Sequence, residues 1–277
     1  MPVSGLVCRV IAFQESHKES VVRDYRHYVK AMEHALDWSA QIITDLNYLK
    51  KRSWPPHRNF QYVYFPQIIK LLWRSHEDWL QGWYDESCIL NRSALDGLIR
   101  IVFLSCYPND VGAVLVYSRG KGKRSFNMTN FMRDDLGLDW EFIWGVDSSY
   151  THGKTAEAIR SLVAAAEKAN PKPVELQWKY DKEAITRPMN ICLFEMWFLW
   201  RLLLKLFPQV LDGAKPQARN AINTVEEGLR QMIEGMPNRL CGCIADVVRV
   251  EGVIGVAEAG GDWLAAARLD ASTDQMR

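Results

Sequence analysis

The sequence predicts an all-α protein: a multi-helix up-and-down bundle with peripheral helices and at most a minor extended segment. Three observations predict it. Between Tyr84 and Pro108 the apolar residues Ile89, Leu95, Leu98, Ile99, Val102, Phe103 and Cys106 recur at spacings of three and four, the period of one helix face. Over 22–46 the residues Val22, Tyr25, Val29, Met32, Leu36, Ser39, Ile43 and Leu46 continue that alternation as a heptad seam. Prolines fall between such runs, at 55–56, 108, 171 and 237, where they end one helix and free the chain for the next.

Composition narrows the class. The chain has 277 residues, 48% hydrophobic and 24% charged, enough for a sizeable core. The net charge of +1 gives no global field toward nucleic acid or an anionic membrane. The six cysteines, at 8, 88, 106, 192, 241 and 243, are scattered, and no secretory signal is evident in a start broken by Arg9. Reduced thiols and a cytoplasmic location are the expectation. The chain divides into an N-terminal arm over 1–14, a helical bundle domain over 15–235, and a C-terminal extension and tail over 236–277.

In chain order, residues 6–13 read as a short strand or a packed arm. A long helix runs over about 15–51, its seam turned to the chain's own core or, second, to a dimer partner. Arg52 to His57 closes it. A second helix spans about 66–83, with Ile68, Ile69, Leu72, Trp73, Trp79, Leu80 and Trp83 on its apolar face. The helix over 84–107 follows closely, so the two are antiparallel neighbours. Asn109 and Asp110 cap a short helix over 111–117, and Asn127 caps another to about residue 136. Helical stretches follow over 140–153 and 155–169, then an alternating, extended cover over 173–181.

The most apolar helix spans about 186–207. A membrane-spanning reading needs about twenty predominantly apolar residues, and Glu195, Arg201 and Lys205 interrupt this one. A buried helix of a soluble bundle fits better, and no membrane partner is expected. Pro216 opens a helix that runs to Gly235. Residues 241–256 form one packed helix or a strand pair, and the end is a mobile tail.

Chemistry narrows to two places. Arg119, Lys121, Lys123 and Arg124, with Gly120 and Gly122, form a basic loop. It could cradle a phosphate, although the P-loop pattern is missing, and the plainer reading is a solvated surface loop. The second place is Arg92 and Asp96, four apart on one helix face, with Ser148, Ser149 and His152 farther on. No cofactor is expected: Cys241 and Cys243 are a lone close pair, and His27 and His34 lack the partners of a di-iron bundle. No nucleophile elbow is present.

Arg92-Ser93-Ala94-Leu95-Asp96 in an apolar helix, followed some fifty residues later by Ser149-Tyr150-Thr151-His152-Gly153, resembles a group of bacterial helical proteins similar to the HEPN superfamily (higher eukaryotes and prokaryotes nucleotide-binding). The resemblance covers about 66–207. It implies a HEPN-like helical core, often a homodimer, with Arg92 near His152. Many HEPN proteins are metal-independent ribonucleases of toxin or phage-defence systems, so RNA or a nucleotide is the implied ligand. Their catalytic motif is Arg, four to six residues, then His at a helix end. This chain departs from it: Arg52 to His57 is the literal match, and Trp54-Pro55-Pro56 lies between. On this reading Arg92 stabilises phosphorane-like charge and His152 moves the 2′-hydroxyl proton. Asp96 orients Arg92 and Ser149 donates to a phosphate oxygen. The competing readings are a buried network of Arg92, Asp96 and His152 that joins helices, and a non-enzymatic binding or scaffold module.

Overall fold

The computed structural model describes residues 3–49, 54–115, 126–138, 140, 180, 182–212, 216–235 and 240–267. Ten α-helices lie among them, and no strand. They are α1 (Val3–Asp24), α2 (Arg26–Leu49), α3 (Pro56–Leu80), α4 (Tyr84–Cys106), α5 (Val111–Leu115), α6 (Met128–Asn130), α7 (Lys182–Leu206), α8 (Gln209–Asp212), α9 (Pro216–Glu234) and α10 (Leu240–Glu258). A π-helical turn, Phe131–Asp135, continues α6. The fold is all-α, as the apolar periodicity predicts.

The expected helix over 15–51 is two helices joined at a bend. Helical bonds run through Tyr25 (N–H to Val21 O 2.7 Å; Val29 N–H to Tyr25 O 3.1 Å), while α1 and α2 diverge there. The heptad seam is spent inside the chain: Val29, Met32, Leu36 and Leu46 are buried, and Val22 alone of that row is exposed. The expected N-terminal arm or strand is instead the first half of α1. Phe13 and His17 pack against Gly82, and Gln14 Nε2 donates to Gln81 Oε1 at 3.3 Å, so tertiary partners recruit a segment with little pattern of its own.

Helix α3 starts ten residues before the expected 66. Pro56 occupies its first turn, where a missing N–H costs nothing. Pro66 lies within the helix. The hydrogen bond it removes is offset by the early turns, whose Tyr62 and Phe65 pack on Phe207 with ring centres 6.4 and 5.9 Å away. Residues 240–258, left open between helix and strands, are helical, because burial of Val247, Val250, Val253 and Ile254 outweighs the modest helix penalty of β-branched residues.

Helices α3 and α4 are antiparallel: Ser75 meets Ser87 at one end and Gln61 meets Ser105 at the other. Their close approach depends on Gly97, where a Cβ would lie 2.8 Å from Ile68 Cγ1. Gly97→Val should therefore destabilise the fold by about 2 kcal/mol through overpacking. An unchanged urea midpoint for that variant would refute this account of the interface.

Helix α7 is the centre. Phe194, Met196, Trp197, Phe198, Leu199 and Trp200 are all buried on it. It runs parallel to α2, since Tyr25 bonds Thr186 and Ser39 bonds Trp200 Nε1 (2.9 Å). No helix among the described residues is long and apolar enough to cross a membrane. Glu195, fully buried, and Arg201, bound to two glutamates, break the apolar character where lipid would penalise it most.

Candidate functional site

The polar face of α4 is the site that the Arg92–Asp96 pattern singles out. Arg92 is half-buried there, with Nη1 3.7 Å from Met128 Sδ. The Asp96 carboxylate, expected to orient Arg92, is engaged by Arg100 one turn farther on, at 2.7 Å from its Nε. Both arginines are four residues from Asp96, but acid before base is the favoured order on a helix. Arg100 also gains from burial that the pattern could not reveal. Its Nη1 donates to Val114 O at 2.9 Å, and its guanidinium lies 4.9 Å over the Phe126 ring. Arg100 is 8% exposed. Burial, the largest effect, works against its charge, and the Asp96 carboxylate together with Tyr64 outweighs it, holding the guanidinium above its ordinary range.

Val114 and Phe126 flank the segment that carries the basic residues. Arg119, Lys121, Lys123 and Arg124 themselves lie outside the described residues, as do Ser149 and His152, so the meeting of Arg92 with His152 is not part of the geometry. The helices expected over 140–153 and 155–169 and the extended cover over 173–181 also fall outside them, apart from residues 140 and 180.

Three further polar clusters surround α7. In the first, Ser75 Oγ donates to Asn91 Oδ1 (2.5 Å) and so accepts from Ser87 Oγ (2.8 Å), while Asn91 Nδ2 donates to Pro188 O (3.0 Å). The knot ties α3, α4 and α7 together. In the second, Asp24 accepts from Lys182 (2.8 Å) and from the Tyr180 hydroxyl (3.0 Å). Lys182 first, then Arg23, hold its carboxyl down at about 2. In the third, Arg201 joins Glu251 of α10 and Glu226 of α9, and Trp197 Nε1 donates to Glu226 at 3.1 Å.

Arg100 was within reach of the sequence, because Asp96–Arg100 repeats the spacing that singled out Arg92. Asn91, Ser75 and Asp24 carried no comparable signal. Burial raises the Cys106 and Cys192 thiols well above their ordinary range, which makes them poor nucleophiles. Among the described residues no three His, Cys, Asp or Glu side chains are grouped to hold a metal ion.

The fold and site together define an all-helical bundle with a charged row, Arg92–Asp96–Arg100, on a core helix. No protein-family model, curated protein or solved structure matches the chain.

Proposed function

We propose that the chain is a HEPN-like cytoplasmic protein with a nucleic-acid-directed role, binding RNA phosphates at the polar face of α4. One observation carries the reading: Arg100 holds both flanks of the basic segment, Val114 and Phe126, on the helix that carries Arg92. Arg119, Lys121, Lys123 and Arg124 lie in sequence between those two flanks, and this reading has them act with Arg92 on one phosphate chain. Arg is the side chain best suited to phosphate, through its fork of donors. In this reading Arg92 stabilises charge on phosphate, His152 moves the proton, and Ser149 donates to a phosphate oxygen. The homodimer that the resemblance implies would use a face other than the 29–46 seam, which the core consumes.

The test is binding of a labelled single-stranded RNA across a salt series. Wild type is compared with Arg92→Ala and with a variant carrying Arg119→Gln, Lys121→Gln, Lys123→Gln and Arg124→Gln. Each lost phosphate contact should lower the slope of log affinity against log salt by about 0.7, and the fourfold variant should bind at least about 10-fold more weakly at moderate salt. Equal affinity and equal slope for all three proteins would overturn the proposal.

A further inference from the structure

We propose that the α1–α3 seam is an acid-sensitive latch: protonation of the buried His76 and His17 rings lifts α1 from α3 by bending at Tyr25, while the α2–α3–α4–α7 core stays folded. Five of the six histidines are described, and the two buried ones, each 1% exposed, both lie on this seam. His27 and His34 are exposed and His57 is half-buried.

His76 is the stronger element. It sits on α3 with its ring 4.8 Å edge-on to Trp79, and neither ring nitrogen has a hydrogen-bond partner. A second proton there would create a buried cation with no acceptor. The charged group that acts on it is Lys18 of α1, another cation, so the facing helix repels the protonated ring. Burial first, then Lys18, lower its pKa from 6.5 to about 4.

His17, on α1, has a set tautomer. Its Nδ1 lies 2.8 Å from Leu80 O, which can only accept, so Nδ1 carries the hydrogen. Its Nε2 accepts from the Tyr84 hydroxyl of α4 at 2.6 Å. A proton on Nε2 would force Tyr84 to turn its own hydrogen elsewhere. Tyr180, 5.3 Å from the ring centre, and Tyr84 are the titratable groups beside it. Burial again lowers its pKa.

The sign follows from linkage. Rings that resist protonation when closed give stability that is complete above about 6.5 and is lost as pH falls toward 4. The loss falls on α1, because α1 carries His17, docked on Leu80 and Tyr84, and Lys18, the cation that acts on His76; its far end is retained by the Asp24–Lys182 clasp. From His76 alone, an open pKa of 6.5 against about 4 closed raises the opening constant about 30-fold at pH 5 over pH 7.5.

Amide hydrogen exchange on the full chain, corrected for intrinsic rates, tests this at pH 7.5 and pH 5. Amides 8–24 should exchange at least about 10-fold faster at pH 5, with 84–106 and 185–206 unchanged. His76→Phe and His76→Gln, which cannot take the proton, should suppress most of that gain. Acid exchange that rises equally in α1 and α7 would overturn the latch, and that wild-type result decides even if neither variant folds. Wild-type pH dependence in both variants would overturn it as well.

Discussion

Arg100→Ala should lower the stability of the fold by about 2–4 kcal/mol, while Arg92→Ala should cost less than about 1 kcal/mol. Removing Arg100 takes away a charge-assisted bond to Asp96 and the donor to Val114 O. It also takes away the cation over Phe126, and it leaves a buried carbonyl without its partner. Arg92 is only half-buried, so water can take over the groups it leaves. Arg100→Lys should recover only part of the loss, because an ammonium lacks the planar fork that serves Asp96 and Val114 together. Urea unfolding of the three variants checks this, and RNA binding beside it separates the roles. Arg92→Ala should lose affinity at nearly unchanged stability. Should Arg92→Ala prove the more destabilising, Asp96 serves Arg92 after all and the row has been assigned in the wrong order.

Arg201→Ala should cost about 2–3 kcal/mol, below the range for breaking a fully buried pair because a third of the Arg201 side chain is open to water. Arg201 donates from two nitrogens to Glu251, Nε at 2.7 Å and Nη2 at 2.5 Å, and a third nitrogen reaches Glu226. Glu251 is 8% exposed, so without Arg201 it keeps a desolvated charge with little water to replace the guanidinium. The Glu251 hydrogen bond, ahead of the opposing effect of burial, raises the Arg201 pKa. The control is the double variant Arg201→Met, Glu251→Leu. It removes both charges at similar volume and should regain most of the lost stability, since a well-packed apolar pair is often as stable as an ion pair it replaces. A double variant as unstable as Arg201→Ala alone would mean that the loss does not come from leaving Glu251 unpaired, and would overturn this account.

Helix existence was legible wherever one face had to be apolar over several turns. The α4 run from Ile89 to Cys106 and the seam from Val29 to Leu46 are periodic because each presents one side to a core. Boundaries were less legible where a proline carried the argument. Pro66 read as a helix start, yet Tyr62 and Phe65 extend α3 backward onto Phe207, a residue distant in the chain. The candidate site shows the same limit. Spacing identified Asp96 and offered two equally spaced arginines, and burial between Val114 and Phe126 chose Arg100.

By itself, the sequence determined an all-helical chain, the central place of α4 and of the helix around Trp197, and the existence of the periodic 29–46 seam. These follow from periodicity, which is local, and from the cost of leaving large apolar faces in water. Only the tertiary structure decided that α1 is a helix bent from α2 at Tyr25, and that Arg201 bridges α9 and α10. It alone showed that Asn91 ties α3 to α7 and that His17 and His76 share one seam. Each of these depends on which residues far apart in the chain meet. Pairing energies between such residues leave no period in the sequence, because either partner is an ordinary polar residue until the fold removes the water around it.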